Sequence, residues 1–155
     1  MKFALCLGGN IGDVKSHFDG VEKALAAFGV TEIRRSRIYK TAPVGCVPGT
    51  PDFQNQALTG ECSAPPEELF LLLQSLEQQS GRPAEHSSQE ARTLDCDVIL
   101  WGEMSLDTEL LTVPHPRARG RQFVLEPLAE IAPEMKFPDG VTVAQAWESL
   151  QKDLA

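Results

Sequence analysis

The spacing of apolar positions changes along the chain, and each spacing predicts an element. Residues 2–7 are almost all apolar, which suits a short buried strand. The turn "GGNIGD" follows and ends at Asp13, a residue type that caps helices. Val14, Phe18, Val21, Leu25 and Phe28 then recur at helical spacing, and Gly29 predicts the helix end. Residues 30–41 read as a strand carrying Ile33 and Ile38. "APVGCVPGTPD" holds too much Pro and Gly for regular structure, and residues 53–62 resume a strand. Pro65 and Pro66 open a second helix, with Glu67 and Glu68 in the first turn, where the helix dipole favours acids. Leu69, Leu72, Leu73 and Leu76 form its apolar stripe, and Gly81 ends it. "RPAEHSSQEA" predicts a polar loop, and residues 93–101 the next strand.

The order β-α-β-β-α-β predicts an α+β fold of the ferredoxin-like kind: an antiparallel sheet with both helices on one face. Beyond Gly102 the pattern adds a connection and helices near residues 127–131 and 143–150. No repeat, low-complexity tract or linker divides the chain, so residues 1–155 read as a single domain. That length suffices for a real core.

Composition narrows the partners. A formal net charge of −8 argues against nucleic acid, which needs clustered Lys and Arg. No run approaches the ~20 apolar residues of a membrane span. "MKFALCLGGN" is too short in its apolar part for a signal peptide, so a cytoplasmic location is expected. Cys6, Cys46, Cys62 and Cys96 form no C-x-x-C pair and have no His at zinc spacing, so all four read as reduced thiols. Arg82, Arg92, Arg117, Arg119 and Arg121 gather in the second half, which allows a local cationic pocket for a polyanionic small molecule.

The candidate chemistry starts at "RTLDCDVILW". Asp95 and Asp97 stand two apart in an otherwise apolar strand. Such residues share a face, about 6.5–7 Å apart along the backbone. Burial and mutual repulsion would disfavour both charges. Either the face is open to water, or a divalent cation neutralises the pair; oxygen ligands favour Mg²⁺. Arg82 and Arg92 flank the polar loop as solvated residues or as phosphate ligands, since Arg binds phosphate oxygens bidentately. "VPHPRARGRQF" brings His115, Arg117, Arg119 and Arg121 close together between fixed prolines. Phe53 and Asn55 share a strand face and Phe123 follows the Arg cluster; they are core residues, or two rings and an amide that hold a flat heterocycle. No G-x-G-x-x-G and no P-loop is present, so nucleotide binding would use side chains and metal.

Together and in this order, "LGGNIGD", "SRIYKTAPVG", "PDFQNQAL", "LEQQSGR", "RTLDCDVILWG" and "TVPHPRARGRQFVLEPLAEIAP" resemble the 6-hydroxymethyl-7,8-dihydropterin pyrophosphokinases of folate synthesis. The resemblance covers nearly the whole chain. It implies a ferredoxin-like fold, ATP and the hydroxymethyl-dihydropterin as partners, two Mg²⁺ ions, and transfer of pyrophosphate to the pterin's hydroxymethyl oxygen with release of AMP. It implies metal ligation by Asp95 and Asp97, and a catalytic group of Arg82, Arg92, Asp95 and Asp97. The ATP side would be Gln74, Glu77, Arg82, Arg92, Thr112, His115 and Arg121. The pterin side would be Thr41, Ala42, Val44, Phe53, Asn55 and Phe123. A monomer is implied. Asp95 is a candidate acceptor for the hydroxyl proton.

The chain departs from the family pattern at Ala84 and at Gln89, Glu90 and Ala91, where an Arg and a Trp are common. Residues 83–91 are expected to be mobile, and a lid built from them to close incompletely. A non-catalytic pterin- or nucleotide-binding relative and a regulatory ferredoxin-like module therefore stand beside the enzyme reading.

Overall fold

The computed structural model describes residues 1–42, 49, 51–81 and 93–155. The apolar start of the chain is the central strand, β1 (Lys2–Gly9). It lies between β4 (Phe53–Glu61) and β5 (Asp95–Trp101), antiparallel to both. β2 (Thr31–Arg35) and β3 (Tyr39–Thr41) both pair with β4, so the sheet runs β2–β4–β1–β5 with β3 beside β4. β6 (Leu106–Asp107) and β7 (Thr112–Val113) form a small second sheet that the hydrophobic pattern did not foretell.

From Phe3 to Leu7, β1 is apolar because both its faces are covered. Phe3, Leu5 and Leu7 join a core with α1 (Val14–Phe28) and α2 (Pro66–Gln79). Ala4 and Cys6 join another with α3 (Gln122–Ile131) and α4 (Val143–Leu154). The expected caps are in place: the Asp13 carboxylate accepts the Ser16 N–H at 3.1 Å, and Gly29 closes α1 at φ 102°, a left-handed conformation glycine adopts without strain.

The strand expected over residues 30–41 is broken. Ser36 is buried, and its hydroxyl accepts the Ala57 N–H at 2.9 Å, while its own N–H reaches the Ala57 carbonyl. A side chain thus enters the ladder, which separates β2 from β3. α3 starts at Gln122, earlier than residue 127, with Pro127 in its interior. α4 runs on to Leu154 from a capping box of Thr142 and Gln145. No described helix is long and apolar enough to cross a membrane.

Candidate active site

The register of β1 lays out the site. Asp97 pairs with Cys6, and Cys6 with Ala57; one step along, Asp95 pairs with Gly8, and Gly8 with Asn55. Directly paired residues point to the same face. The polar row Asp95–Gly8–Asn55 therefore crosses three strands on the α3 face. Its ends are two strand spacings apart, about 10 Å.

At one end Asn55 is buried, and its Nδ2 donates to Thr41 Oγ1 at 3.2 Å. Its Oδ1 faces Gly8, where a Cβ would stand 3.2 Å from it. Gly8 has no left-handed φ, so the glycine is needed for space and not for backbone freedom. Nothing in the hydrophobic pattern singled out this residue beyond a small side chain at the end of an apolar run. Phe53 and Thr41 are paired and half-buried at the same end, with Ala42 exposed beside them.

At the other end Asp95 and Asp97 are half-buried. Cys6 lies beside them, and burial, then Asp97 and Asp95, push its thiol well above the usual range. Among the described residues no group of three or more His, Cys, Asp or Glu could hold a metal. The donor set is two carboxylates, which suits an ion that completes its shell with water and phosphate oxygens.

His115 reaches the site from beyond β5. Its N–H donates to the Ile99 carbonyl at 3.1 Å, and its Nδ1 accepts the Arg117 N–H at 3.2 Å. The neutral ring therefore carries its proton on Nε2. Burial lowers the His115 pKa, and Arg121 lowers it further, against an opposing pull from Asp95. Arg121 precedes α3, with its guanidinium 5.2 Å from the centre of the half-buried Phe123 ring.

The other predicted residues surround β5. Gln74 is exposed on α2. Glu77, one turn on, accepts the Cys96 N–H at 2.7 Å, so it holds the strand segment between the two aspartates. Ser80 and Thr93 hydroxyls, 2.9 Å apart, add a second tie from α2. Thr112 is exposed and donates to Asp107 at 3.2 Å. Arg119 leaves the Arg cluster: it pairs with Asp139 at 2.7 Å and lies over Phe137. A depression of about 340 Å³ beside that pair shares only His115 with the site. Cys6, Cys62 and Cys96 are free thiols, as expected. Val44, Cys46, Arg82, Arg92 and the loop with Ala84 and Gln89 lie outside the described residues.

Four likenesses bear on this arrangement. Residues 4–133 match the family model described as 7,8-dihydro-6-hydroxymethylpterin-pyrophosphokinase (HPPK). The chain is 40% identical over 146 residues to the 2-amino-4-hydroxy-6-hydroxymethyldihydropteridine pyrophosphokinase of Synechocystis, across 93% of this chain and 73% of that one. It is 39% identical over 135 residues to the protein of the same name in Bacillus subtilis, across 85% and 78%. A crystal structure of an HPPK-DHPS in complex with substrates superposes with a TM-score of 0.68 at 13% identity, covering 99% of this chain and 44% of that one. At that identity the likeness is one of fold.

Proposed function

The chain belongs to the 7,8-dihydro-6-hydroxymethylpterin-pyrophosphokinase family, and from that premise we propose how its residues move the pyrophosphoryl group of ATP to hydroxymethyl-dihydropterin in folate synthesis. The observation that carries the reading is the row Asp95–Gly8–Asn55, with an amide at one end and carboxylates at the other. The pterin ring stacks between Phe53 and Phe123. Asn55, whose Nδ2 is committed to Thr41, offers Oδ1 to a ring N–H. The hydroxymethyl arm then extends over Gly8 and brings its oxygen to Asp95, which takes the proton as the oxygen attacks the β-phosphorus of ATP.

Asp95 and Asp97 are the residues that would hold Mg²⁺, which when bound neutralises charge on the phosphate oxygens. The His115 Nε2–H and the Arg121 guanidinium donate to the phosphates, and a neutral imidazole does so without giving up a proton. Glu77 keeps the two aspartates in place through the Cys96 N–H. Gln74 and Thr112 stand toward the nucleotide. Arg82, Arg92 and Val44 are assigned from the family pattern alone. No side chain serves as a nucleophile, so catalysis is positioning and charge stabilisation. The order β2–β4–β1–β5, with α1 and α2 on one face, supports a ferredoxin-like βαββαβ core with α3 and α4 added on the other.

The test is to mix the protein with ATP, Mg²⁺ and 6-hydroxymethyl-7,8-dihydropterin and measure AMP. AMP release that needs all components is expected. Pterin binding without AMP would favour the non-catalytic relative.

A further inference from the structure

Pro127 lies inside α3. A proline there lacks the N–H that would bond the carbonyl four residues back, that of Phe123. The Phe123 carbonyl has another donor. Cys6 Sγ, from β1, is 3.4 Å away. Cys6 is buried at 6% exposure, so its thiol has no water to turn to. A carbonyl left without a partner in such a position is costly, so the contact holds the helix as well as the thiol.

The place of this contact gives it a functional meaning. Cys6 pairs across the strands with Asp97. Phe123 is the second residue of α3, and its ring lies under the Arg121 guanidinium. The far end of α3 is tied separately, by Tyr39 Oη donating to Glu130 at 2.6 Å and the Arg37 N–H at 3.0 Å. The near end, which carries the ring and the cation, is anchored to the sheet by Cys6.

We propose that Cys6 is a positioning residue: its thiol replaces the N–H that Pro127 lacks, and so fixes the first turn of α3, with the Phe123 ring and Arg121, over Asp95 and Asp97. The proposal rests on the reading of Phe123 as the pterin-stacking ring. Cys6 touches no reacting atom and forms no bond in the reaction.

The experiment is a double-mutant cycle on the full chain. Pterin affinity is read by calorimetry with Mg²⁺ and a non-hydrolysable ATP analogue present. Cys6→Ala should weaken pterin binding at least fivefold and raise the pterin KM with little change in kcat. Cys6→Ser, which keeps a donor, should stay within twofold of wild type. In a Pro127→Ala background the peptide N–H returns to the helix, and Cys6→Ala should then cost less than twofold. An equal cost in both backgrounds overturns the proposal, as does a Cys6→Ala protein that binds pterin like wild type. If Cys6→Ala does not fold, the infrared S–H stretch decides: Pro127→Ala should move the Cys6 band to higher frequency, and an unmoved band overturns the proposal. That band reads the contact even if wild type binds no pterin, so failure of the functional reading is seen separately.

Discussion

Phe3, Leu5 and Leu7 point from β1 to one face of the sheet, and Ala4, Cys6 and Gly8 to the other. The first set is large and packs against α1 and α2. The second set is small throughout, and runs from under α3 to the open row between Asn55 and Asp95, where it ends at Gly8. β5 follows the same division. Cys96 and Val98 face α1 and α2, while Asp95 and Asp97 face the site. One strand thus serves two purposes through its alternation, and the small side chains on one face leave room for a substrate where the other face leaves none.

The sharpest way to break this division is to damage the sealed face. Phe18 is 1% exposed on α1 and belongs to the core on the face opposite the site. Phe18→Ala should cost about 3–5 kcal/mol of stability, seen as a large fall in melting temperature. Turnover per folded molecule should stay unchanged below the melting range. A change in pterin KM at low temperature would mean that the two faces are coupled.

The reverse experiment removes charge from the open face. Asp97→Ala should lower AMP release about 100-fold or more, since charge stabilisation by a metal contributes several kcal/mol. The melting temperature of the free protein should not fall, because one of two neighbouring half-buried carboxylates is gone. Near-wild-type AMP release would refute the assignment. At the other end of the row, Asn55→Ala should weaken pterin binding by about 1–3 kcal/mol, the cost of unsatisfied partners. Nucleotide affinity without pterin should not move; an equal loss for both ligands would place Asn55 in the framework and not in the pocket.

Much of this was legible in the sequence because it is local. Asp13, Gly29 and the helical stripe of α1 declare themselves by type and spacing. The Asp pair was legible as one face of a strand. The remainder of that strand was not, because "VILW" hides a register shift. Val98 pairs with Leu5 but Leu100 with Ala4, which leaves Ile99 unopposed. The shift reverses the alternation, so Leu100 packs on the face that carries Asp95 and Asp97, and Trp101 stacks on Phe3 at the opposite face. Ser36 broke a strand through a bond to Ala57, 21 residues away, which no local pattern records. Arg119 stands in the cationic cluster near His115 by its spacing, but its partner is Asp139, 20 residues on. The contact of Cys6 with Phe123 spans 117 residues and links two segments that read separately as strand and helix.

The smallest expected effect concerns pH, and it belongs to the open face alone. The folded chain holds the His115 pKa below its ordinary value of 6.5, first through burial and then through Arg121. In the unfolded chain the imidazole takes up its proton near pH 6.5. As pH falls from there, the unfolded state binds more protons than the folded one, so stability declines until the folded pKa is passed. His115→Gln should remove that decline and flatten the melting temperature between about pH 7 and 5 in the ligand-free protein. Asp19 and Asp139 also lose stabilisation in acid, because Lys15 and Arg119 respectively hold their pKa values down. Their loss begins only near the ordinary carboxylate range, about pH 4, so it does not overlap the imidazole window. Phe18→Ala should lower the whole curve without changing its slope there. Parallel melting curves for wild type and His115→Gln from pH 7 to 5 would show that the imidazole titrates alike folded and unfolded, and that burial beside Arg121 does not keep it neutral for phosphate.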